Sequence, residues 1–169
     1  MCQRKVNATI AFLLLGLSQC LLALPEDNKS LLTVQAGAAD LNQNTHLGVY
    51  SGGVILDQGS THIRAAKART QTNHKNQLIT AEIEGDKHSQ AHYWTLPERG
   101  KPLLHAYADK MLYDPIQQRV ALIGHARVRQ GRHHMSSPML HYYIKTQHVV
   151  SMFKPGEQTT IVVHPEKRL

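Results

Sequence analysis

The twelve histidines are the residues of this chain best suited to chemistry, because imidazole binds metals and transfers protons near neutral pH. His133 and His134 are adjacent, and His141 lies nearby. On a β-strand, however, adjacent side chains point to opposite faces, so His133 and His134 are poorly placed to share one ion. No pair of histidines stands on a helical pattern with a carboxylate partner. We therefore interpret them as exposed strand histidines and predict neither a metal site nor a cofactor.

Other side chains with catalytic or binding potential also have simpler explanations. Glu82 and Glu84 alternate with apolar residues, which is typical of the wet face of a strand rather than of a catalytic pair. The chain has no glycine-rich phosphate loop and no Gly-x-Ser-x-Gly elbow. Arg127, Arg129 and Arg132 are basic but have no stacking aromatics among them, so they do not indicate a nucleic-acid site. We expect neither an enzyme nor a nucleic-acid-binding protein.

Residues 1–23 are predicted to be a cleaved export signal, and residues 24–169 a single domain. Arg4 and Lys5 precede a charge-free run from Ala8 to Leu24, and Ala23 offers a small residue at which cleavage can occur. Cleavage removes two cationic side chains, so the net charge of +7 falls to +5.

Two other interpretations of this N-terminus stay open. The segment is at the short limit for a membrane span, but an uncleaved anchor would also fit it. A lipoprotein signal would use Cys20, although Gln19 then stands where a small residue is expected. The only other cysteine is Cys2, so a chain cleaved after Ala23 holds its fold without disulfides.

The rest of the chain predicts an all-β fold. Apolar residues come in short runs that are rich in Val, Ile, Leu and Tyr, and clusters of turn residues separate these runs. Ile79, Ala81 and Ile83 alternate with polar residues, as do Ala126 and Val128. This period of two is typical of antiparallel strands with one wet face. A sandwich, a barrel or a jelly roll would satisfy the pattern.

An internal repeat relates residues 31–69 to residues 103–141 without gaps. The two segments SGGVILDQG and IGHARVRQG are the clearest matching copies, and each predicts a turn, a strand and a second turn. Two copies of one β-meander indicate a stacked structure. Seven pairs are identical at this offset of 72: Leu31/Leu103, Leu32/Leu104, Ala36/Ala108, Gly52/Gly124, Gln58/Gln130, Gly59/Gly131 and His62/His134.

The order of several segments resembles the LptA family of periplasmic lipopolysaccharide transport proteins. An export signal is followed by LLTVQA, LGVYSGGVILDQG and THIRAAKA, and then by GKP (100–102), ADKMLYD (108–114) and VALIGHARVRQG (120–131). The resemblance covers roughly residues 28–165. The sequence departs from the family where Ala66 replaces the Asp of an Ala-Asp-Lys motif, and where Gly53 and His125 replace an Asn.

The resemblance implies a twisted, partly open β-jellyroll of about sixteen short antiparallel strands. In that family the two sheets splay like a V, and the acyl chains of lipid A lie in the apolar cleft. Protomers join end to end by pairing edge strands. The assembly bridges an LptC-like inner-membrane protein and an LptD-like outer-membrane translocon, and it catalyses no reaction. A positive mature charge suits the anionic cargo.

Alternation and the family positions together select the residues expected to face the cleft. Leu32 and Val34 share one face of the first strand, and the family places them at the cleft mouth. Tyr93, Met111 and Tyr113 occupy family positions near acyl chains, whereas Trp94 should face away from Tyr93. The expected lipid-binding residues are Leu32, Val34, Leu41, Val54, Leu56, Ile63, Tyr93, Met111, Tyr113 and Val128.

Three alternative functions remain open. An LptC-like sister protein would keep its N-terminal segment as an anchor. A structural or adhesive β-repeat protein would self-associate without carrying lipid. An exported enzyme would need an acid–base or metal constellation that the sequence does not display.

Overall fold

The computed structural model describes residues 30–143, 146, 148–152 and 155–165. The predicted signal peptide, residues 1–23, and the predicted start of the domain at Leu24 lie outside the described residues. Within the described part of the chain the structure contains twelve strands, and all of their pairings are antiparallel. These are β1 (Leu32–Gln35), β2 (Ala38–Asn42), β3 (Leu47–Gln58), β4 (Thr61–Thr72), β5 (Leu78–Glu84), β6 (Ala91–Thr95), β7 (Leu104–Ala108), β8 (Lys110–Asp114), β9 (Arg119–Gln130), β10 (His133–Tyr143), β11 (His148–Ser151) and β12 (Thr160–Val162).

The strands form one branched sheet with two arms. In arm A the neighbours run β2-β3-β4-β5-β8-β9-β10-β11, and in arm B they run β1-β3-β4-β6-β7-β9-β10-β12. The four long strands β3, β4, β9 and β10 belong to both arms, because one half of each pairs within arm A and the other half within arm B. Each arm therefore contains eight strand segments.

Strands β3 and β9 change arm where the backbone is left-handed. The β3–β4 register shifts between Ser51 and Val54, and Gly52 and Gly53 lie there with φ of 78° and 84°. Gly124 has the same conformation in β9, with φ of 77°. Glycine adopts positive φ without steric cost, so these positions suit a bulge that redirects the strand. The described residues form twelve strands rather than the roughly sixteen short strands that the resemblance implied, because the four long strands continue through these bends without interruption.

The predicted repeat is confirmed by strand limits and registers. Strands β1–β4 correspond to β7–β10 at the offset of 72 residues, so that Ala38–Asn42 corresponds to Lys110–Asp114. Strands β11 and β12 pair with β10 as β5 and β6 pair with β4. There the offset is 68 residues, because Ile63↔Tyr93 corresponds to Met135↔Ile161. The molecule is thus two six-stranded repeats. Paired positions of β10 and β11 are four residues closer in sequence than the corresponding positions of β4 and β5, as Leu140↔Ser151 and Ala68↔Ile83 show.

The buried core lies between the arms at the middle of the molecule, where the two repeats meet. Arm A contributes Met111, Leu122 and Leu140, and arm B contributes mainly alanines, which let the arms approach closely. The outer ends of both repeats lack such a covering layer. Apolar residues are exposed there, including Leu32 and Leu41 at the β1/β2 end and Ile161 and Val163 at the β11/β12 end. We call these the leading end (β1 and β2) and the trailing end (β11 and β12).

Candidate functional site

The inner face of arm B carries an unbroken row of directly paired residues that crosses all eight segments. Adjacent members are cross-strand partners, so their side chains lie on one face of the sheet. All of them are apolar or aromatic. In spatial order they are Val34, Leu56, Ile63, Tyr93, Ala106, Val128, Met135 and Ile161. Five of the ten residues selected from the sequence belong to this row.

The inner face of arm A carries a second continuous row, which contains the predicted residue Met111. Its neighbours across the strands are again mostly apolar, and it ends on Ser151 at the trailing end. In order the row is Ala39, Tyr50, Ala68, Ile83, Met111, Leu122, Leu140 and Ser151. With neighbouring strands about 4.8 Å apart, eight segments extend for about 34 Å.

The predicted residues lie in three different environments on these inner faces. Val54, Ile63 and Met111 are buried in the closed middle of the molecule, with exposures of 2%, 9% and 4%. Leu32, Val34 and Leu41, in contrast, are exposed at the leading end. The remaining members are partly covered, and they are Leu56, Tyr93, Tyr113 and Val128. Of the predicted lining residues, only those at the leading end are therefore well exposed to solvent.

Trp94 lies on the opposite face from Tyr93, as their adjacency predicts. Its indole stacks on the rings of His62 and His92 on the outside of arm B, with ring centroids 5.0 Å and 4.5 Å apart. Tyr93 belongs to the inner row and packs against the core. The aromatic pair therefore separates an apolar inside from a polar outside.

A cavity of about 790 Å³ opens between the arms at the trailing end. Ala126 and Ile123 line it from β9, Pro138 and Met139 from β10, and Met152 follows β11. Within the first repeat the corresponding space is filled, because β7 and β8 of the second repeat pack there against β6 and β5. The cavity thus marks the place where a third repeat would begin.

The joint between the two repeats is closed by a polar cluster around Asp109. His125 Nδ1 lies 2.7 Å from Asp109 Oδ2, and Gln90 Nε2 donates to Asp109 Oδ1 at 2.9 Å. These hydrogen bonds, with His125 the stronger influence, hold the pKa of the Asp109 carboxyl below its usual value. The backbone joins in, since Gly85 N donates to Asp109 O and Asp109 N donates to Gly124 O. A Cβ at Gly124 would collide with the Asp109 side chain, which explains the glycine.

A second polar contact crosses the same joint between β5 and β8. Lys110 Nζ lies 2.6 Å from Glu82 Oε1 and 3.2 Å from Glu84 Oε1. The bond to Lys110 lowers the pKa of Glu82, and the bond to Glu82 raises the pKa of Lys110. The two carboxylates therefore serve as partners of a lysine on the outer face of arm A.

Sequence reasoning did not assign a role to Gln90, Asp109 or His125. The signal that could have found them is the intact Ala108-Asp109-Lys110 motif, which the first repeat lacks. Among the residues that the structure describes, no three His, Cys, Asp or Glu side chains are grouped so as to hold a metal ion. In that same part of the chain, no helix is long and apolar enough to cross a membrane.

Comparisons with known proteins match this arrangement. The model of the family described as LptA/(LptD N-terminal domain) LPS transport protein matches residues 33–148. The lipopolysaccharide export system protein LptH of Pseudomonas aeruginosa is 29% identical over 158 residues, which cover 89% of each chain. The export system protein LptA of Escherichia coli is 23% identical, covering 96% of this chain and 86% of its own.

A solved structure extends the similarity to three dimensions. The crystal structure of LptH, described as the LptA-homologous periplasmic component of the lipopolysaccharide transport device of Pseudomonas aeruginosa, superposes with a TM-score of 0.71 at 25% identity. The match covers 83% of this chain and all of that one. Because the family model spans more than half of the sequence, the chain belongs to the LptA/(LptD N-terminal domain) family of LPS transport proteins.

Proposed function

We propose that this protein carries lipopolysaccharide across the periplasm, with the acyl chains of lipid A held between its two arms. The observation that carries this proposal is the pair of apolar inner rows, which run without a break from the leading end to the trailing end. The names of the relatives, which are export system proteins, support the same cargo. We place the protein in the periplasm after removal of residues 1–23, as a single domain of residues 24–169.

The physical requirement is to keep acyl chains away from water during transfer. Each exposed CH₂ group costs about 0.8 kcal/mol, so a lipid with several chains cannot leave a membrane without a cover. A cleft lined by aliphatic and aromatic side chains removes most of that cost without a covalent step. Leu32, Val34 and Leu41 present the accessible part of this lining at the leading end. Val54, Ile63 and Met111 are reached as the arms separate.

We propose further that copies join leading end to trailing end. Inside the molecule the two repeats are joined by the pairs β6–β7 and β5–β8. At the trailing end, β12 and β11 are the counterparts of β6 and β5. At the leading end, β1 and β2 are the counterparts of β7 and β8. Strand addition between two copies would therefore repeat the internal joint.

The internal registers fix the residues that this intermolecular joint would pair. The internal pair Ala106↔Tyr93 corresponds to a pair of Val34 in one copy and Ile161 in the next. In the same way, Leu104↔Thr95 corresponds to a pair of Leu32 and Val163. Both new pairs are apolar. Their members are now exposed, at 39% and 63% for Val34 and Ile161. Exposed apolar residues on unpaired edges favour association, so covering them would stabilise the joint.

The trailing-end cavity supports the same joint. In the internal joint the equivalent space is occupied by β7 and β8, whose counterparts in a second copy are β1 and β2. Small residues of that second copy, such as Ala36 and Gly37, would enter the cavity. The two inner rows would then continue from one copy to the next. A bridge built in this way would end on related folds, which we propose to be an LptC-like inner-membrane protein and an LptD-like outer-membrane translocon.

Native mass spectrometry with purified lipopolysaccharide tests the proposal. The full chain is expressed in a Gram-negative host, purified from the periplasm and analysed before and after addition of the lipid. We expect a discrete mass of bound lipid, a ladder of oligomers and an N-terminus at Leu24. Oligomers that bind no lipid would favour a structural repeat protein, and an intact N-terminal segment would favour the anchored sister protein.

Leu32→Asp is expected to weaken lipid binding about tenfold or more, because it places a charge in the apolar mouth. The matched control is Gln35→Asp, which adds the same charge to the outer face of the same strand. Circular dichroism checks that both variants keep their β-structure. Equal lipid binding by the two variants would remove Leu32 from the site.

A further inference from the structure

The outer face of arm B concentrates basic and aromatic side chains in two cross-strand rows. These side chains alternate with the apolar inner row, so they point away from the cleft. We call this surface the basic face. It consists of His62, Arg64, His92, Trp94, His105, Tyr107, Arg127, Arg129 and His134.

Ring stacking holds the basic face in a fixed arrangement. The ring of His92 stacks on Tyr107 at 4.2 Å and on Trp94 at 4.5 Å, and His92 Nε2 lies 3.1 Å from His105 Nδ1. Arg127 lies over the ring of Tyr107, with 5.2 Å from Cζ to the ring centroid. A guanidinium ordered in this way loses less freedom when it binds a partner.

Among the described residues, acids balance only part of the charge of the basic face. Asp57 pairs with Arg64 at 2.9 Å and lies 2.7 Å from His62 Nδ1. Arg127 donates to the amide oxygen of Gln90 and forms no ion pair in the part of the chain that the structure describes. Arg129 is exposed and forms no ion pair among the described residues. Burial lowers the pKa values of His92 and His105, so these rings are neutral near pH 7.

The outer face of arm A differs in this respect. Acids and bases alternate across its strands, with Lys67 opposite Glu84 and Glu84 opposite Lys110. Arg69 is likewise opposite Glu82. Arm A therefore neutralises its own charges, whereas arm B presents two arginines for an external anion.

The basic face runs along the side of the molecule, parallel to the direction in which β1 through β12 are stacked. In the bridge of the proposed function, on which this step rests, that direction leads from one membrane to the other. The ends meet neighbouring proteins, and the sides face the cell-wall layer that such a bridge must cross. The peptide stems of that polymer carry many carboxylates, and guanidinium groups bind carboxylates through paired hydrogen bonds. We propose that the basic face binds the anionic peptide stems of peptidoglycan.

Co-sedimentation with purified peptidoglycan sacculi tests this proposal on the full chain purified from the periplasm. The test variant combines Arg127→Gln and Arg129→Gln, and the matched control combines Lys67→Gln and Arg69→Gln on the outer face of arm A. We expect the test variant to lose affinity about tenfold, as two charge-assisted contacts imply, and the control to bind like the unmodified protein. Binding should also weaken as salt is raised.

Two results would overturn the proposal: failure of the unmodified protein to bind sacculi, and equal loss of binding in both variants. If sacculi are not bound but phosphatidylglycerol vesicles are bound through Arg127 and Arg129, the basic face takes an anionic lipid instead. Lipopolysaccharide binding is measured on the same samples. Because the basic face lies outside the cleft, the test variant should bind the lipid normally, and failure of every form to bind lipid would count against the transport function alone.

Discussion

Asp109 and Gly37 occupy equivalent positions in the two repeats. Asp109 lies at the joint between the repeats, whereas Gly37 lies at the unpaired leading end. Asp109 binds Gln90 of the first repeat across the internal joint, and it binds His125 within its own repeat. At the leading end, Gly37 has no side chain with which to do so, and it approaches Gly52 closely instead. The internal joint is thereby fixed by polar contacts, while a joint between copies would rely on apolar strand pairing.

Asp109→Ala is expected to lower the free energy of unfolding by about 1–2 kcal/mol, because it removes a partly exposed hydrogen bond to Gln90 across the internal joint and another to His125 within the second repeat. Asp40→Ala is the matched control, since Asp40 is an exposed strand carboxylate of the leading end. Chemical denaturation monitored by circular dichroism measures both. Equal stability of the two variants would show that the Asp109 cluster does not hold the repeats together.

The stability of the protein should fall in acid because of His92. Burial, with His105 as a secondary cause, lowers the pKa of His92 from 6.5 to about 4. Because the pKa of His92 is lower in the folded state than in the unfolded state, its contribution to the free energy of unfolding is complete above pH 6.5. That contribution is lost as the pH falls towards 4. Melting temperatures measured from pH 7 to pH 4 should decline, and His92→Gln should reduce that decline. His88→Gln, in an exposed turn, is the control and should leave the decline unchanged.

At the scale of the strands, the sequence predicted the fold class, the alternation and the repeat. The first two follow from short-range patterns, and the repeat follows from a comparison of the sequence with itself at an offset of 72 residues. Val54 and Leu56 were placed on the inner face by alternation in step with the first strand, whose face the family position gave, and Val128 was placed there by the repeat offset. The two arms could not be predicted in this way, since a bend at Gly52 redirects a strand without interrupting its apolar pattern. Burial could not be predicted from the sequence either. Met111 is buried and Leu41 is exposed because strands lie opposite the first residue but not opposite the second.

A disulfide between copies tests the strand register of the proposed joint. In a chain that carries both Leu32→Cys and Val163→Cys, the two sulfurs would lie opposite each other across the joint, so oxidation should give covalent oligomers. The control combines Thr33→Cys with Val163→Cys, which places the sulfurs on opposite faces of the sheet. Peptide mapping by mass spectrometry identifies the bond. Equal cross-linking of both pairs would reject the register.

At the scale of the whole molecule, the two ends are different surfaces, so one variant at each end should give a predictable mixture. Val34→Asp blocks the leading end and Ile161→Asp blocks the trailing end. Each variant alone should be monomeric, because a buried unpaired charge opposes the joint. Mixed together, they should form a dimer and nothing larger, since each supplies the intact end that the other lacks. Sedimentation velocity measures the result, and larger species in the mixture would contradict head-to-tail joining.

The unlike ends have a further consequence for size control. In the proposed assembly two different surfaces meet, so every copy added to an open row of copies would expose a fresh end of the same kind, unless the rotation between copies closed a ring. In such a row of copies, the strands of one copy do not specify how many copies make a complete assembly. The number of copies in the assembly must then be set by the partners that bind the first leading end and the last trailing end. The same protein could then span a narrow or a wide gap with no change in its sequence.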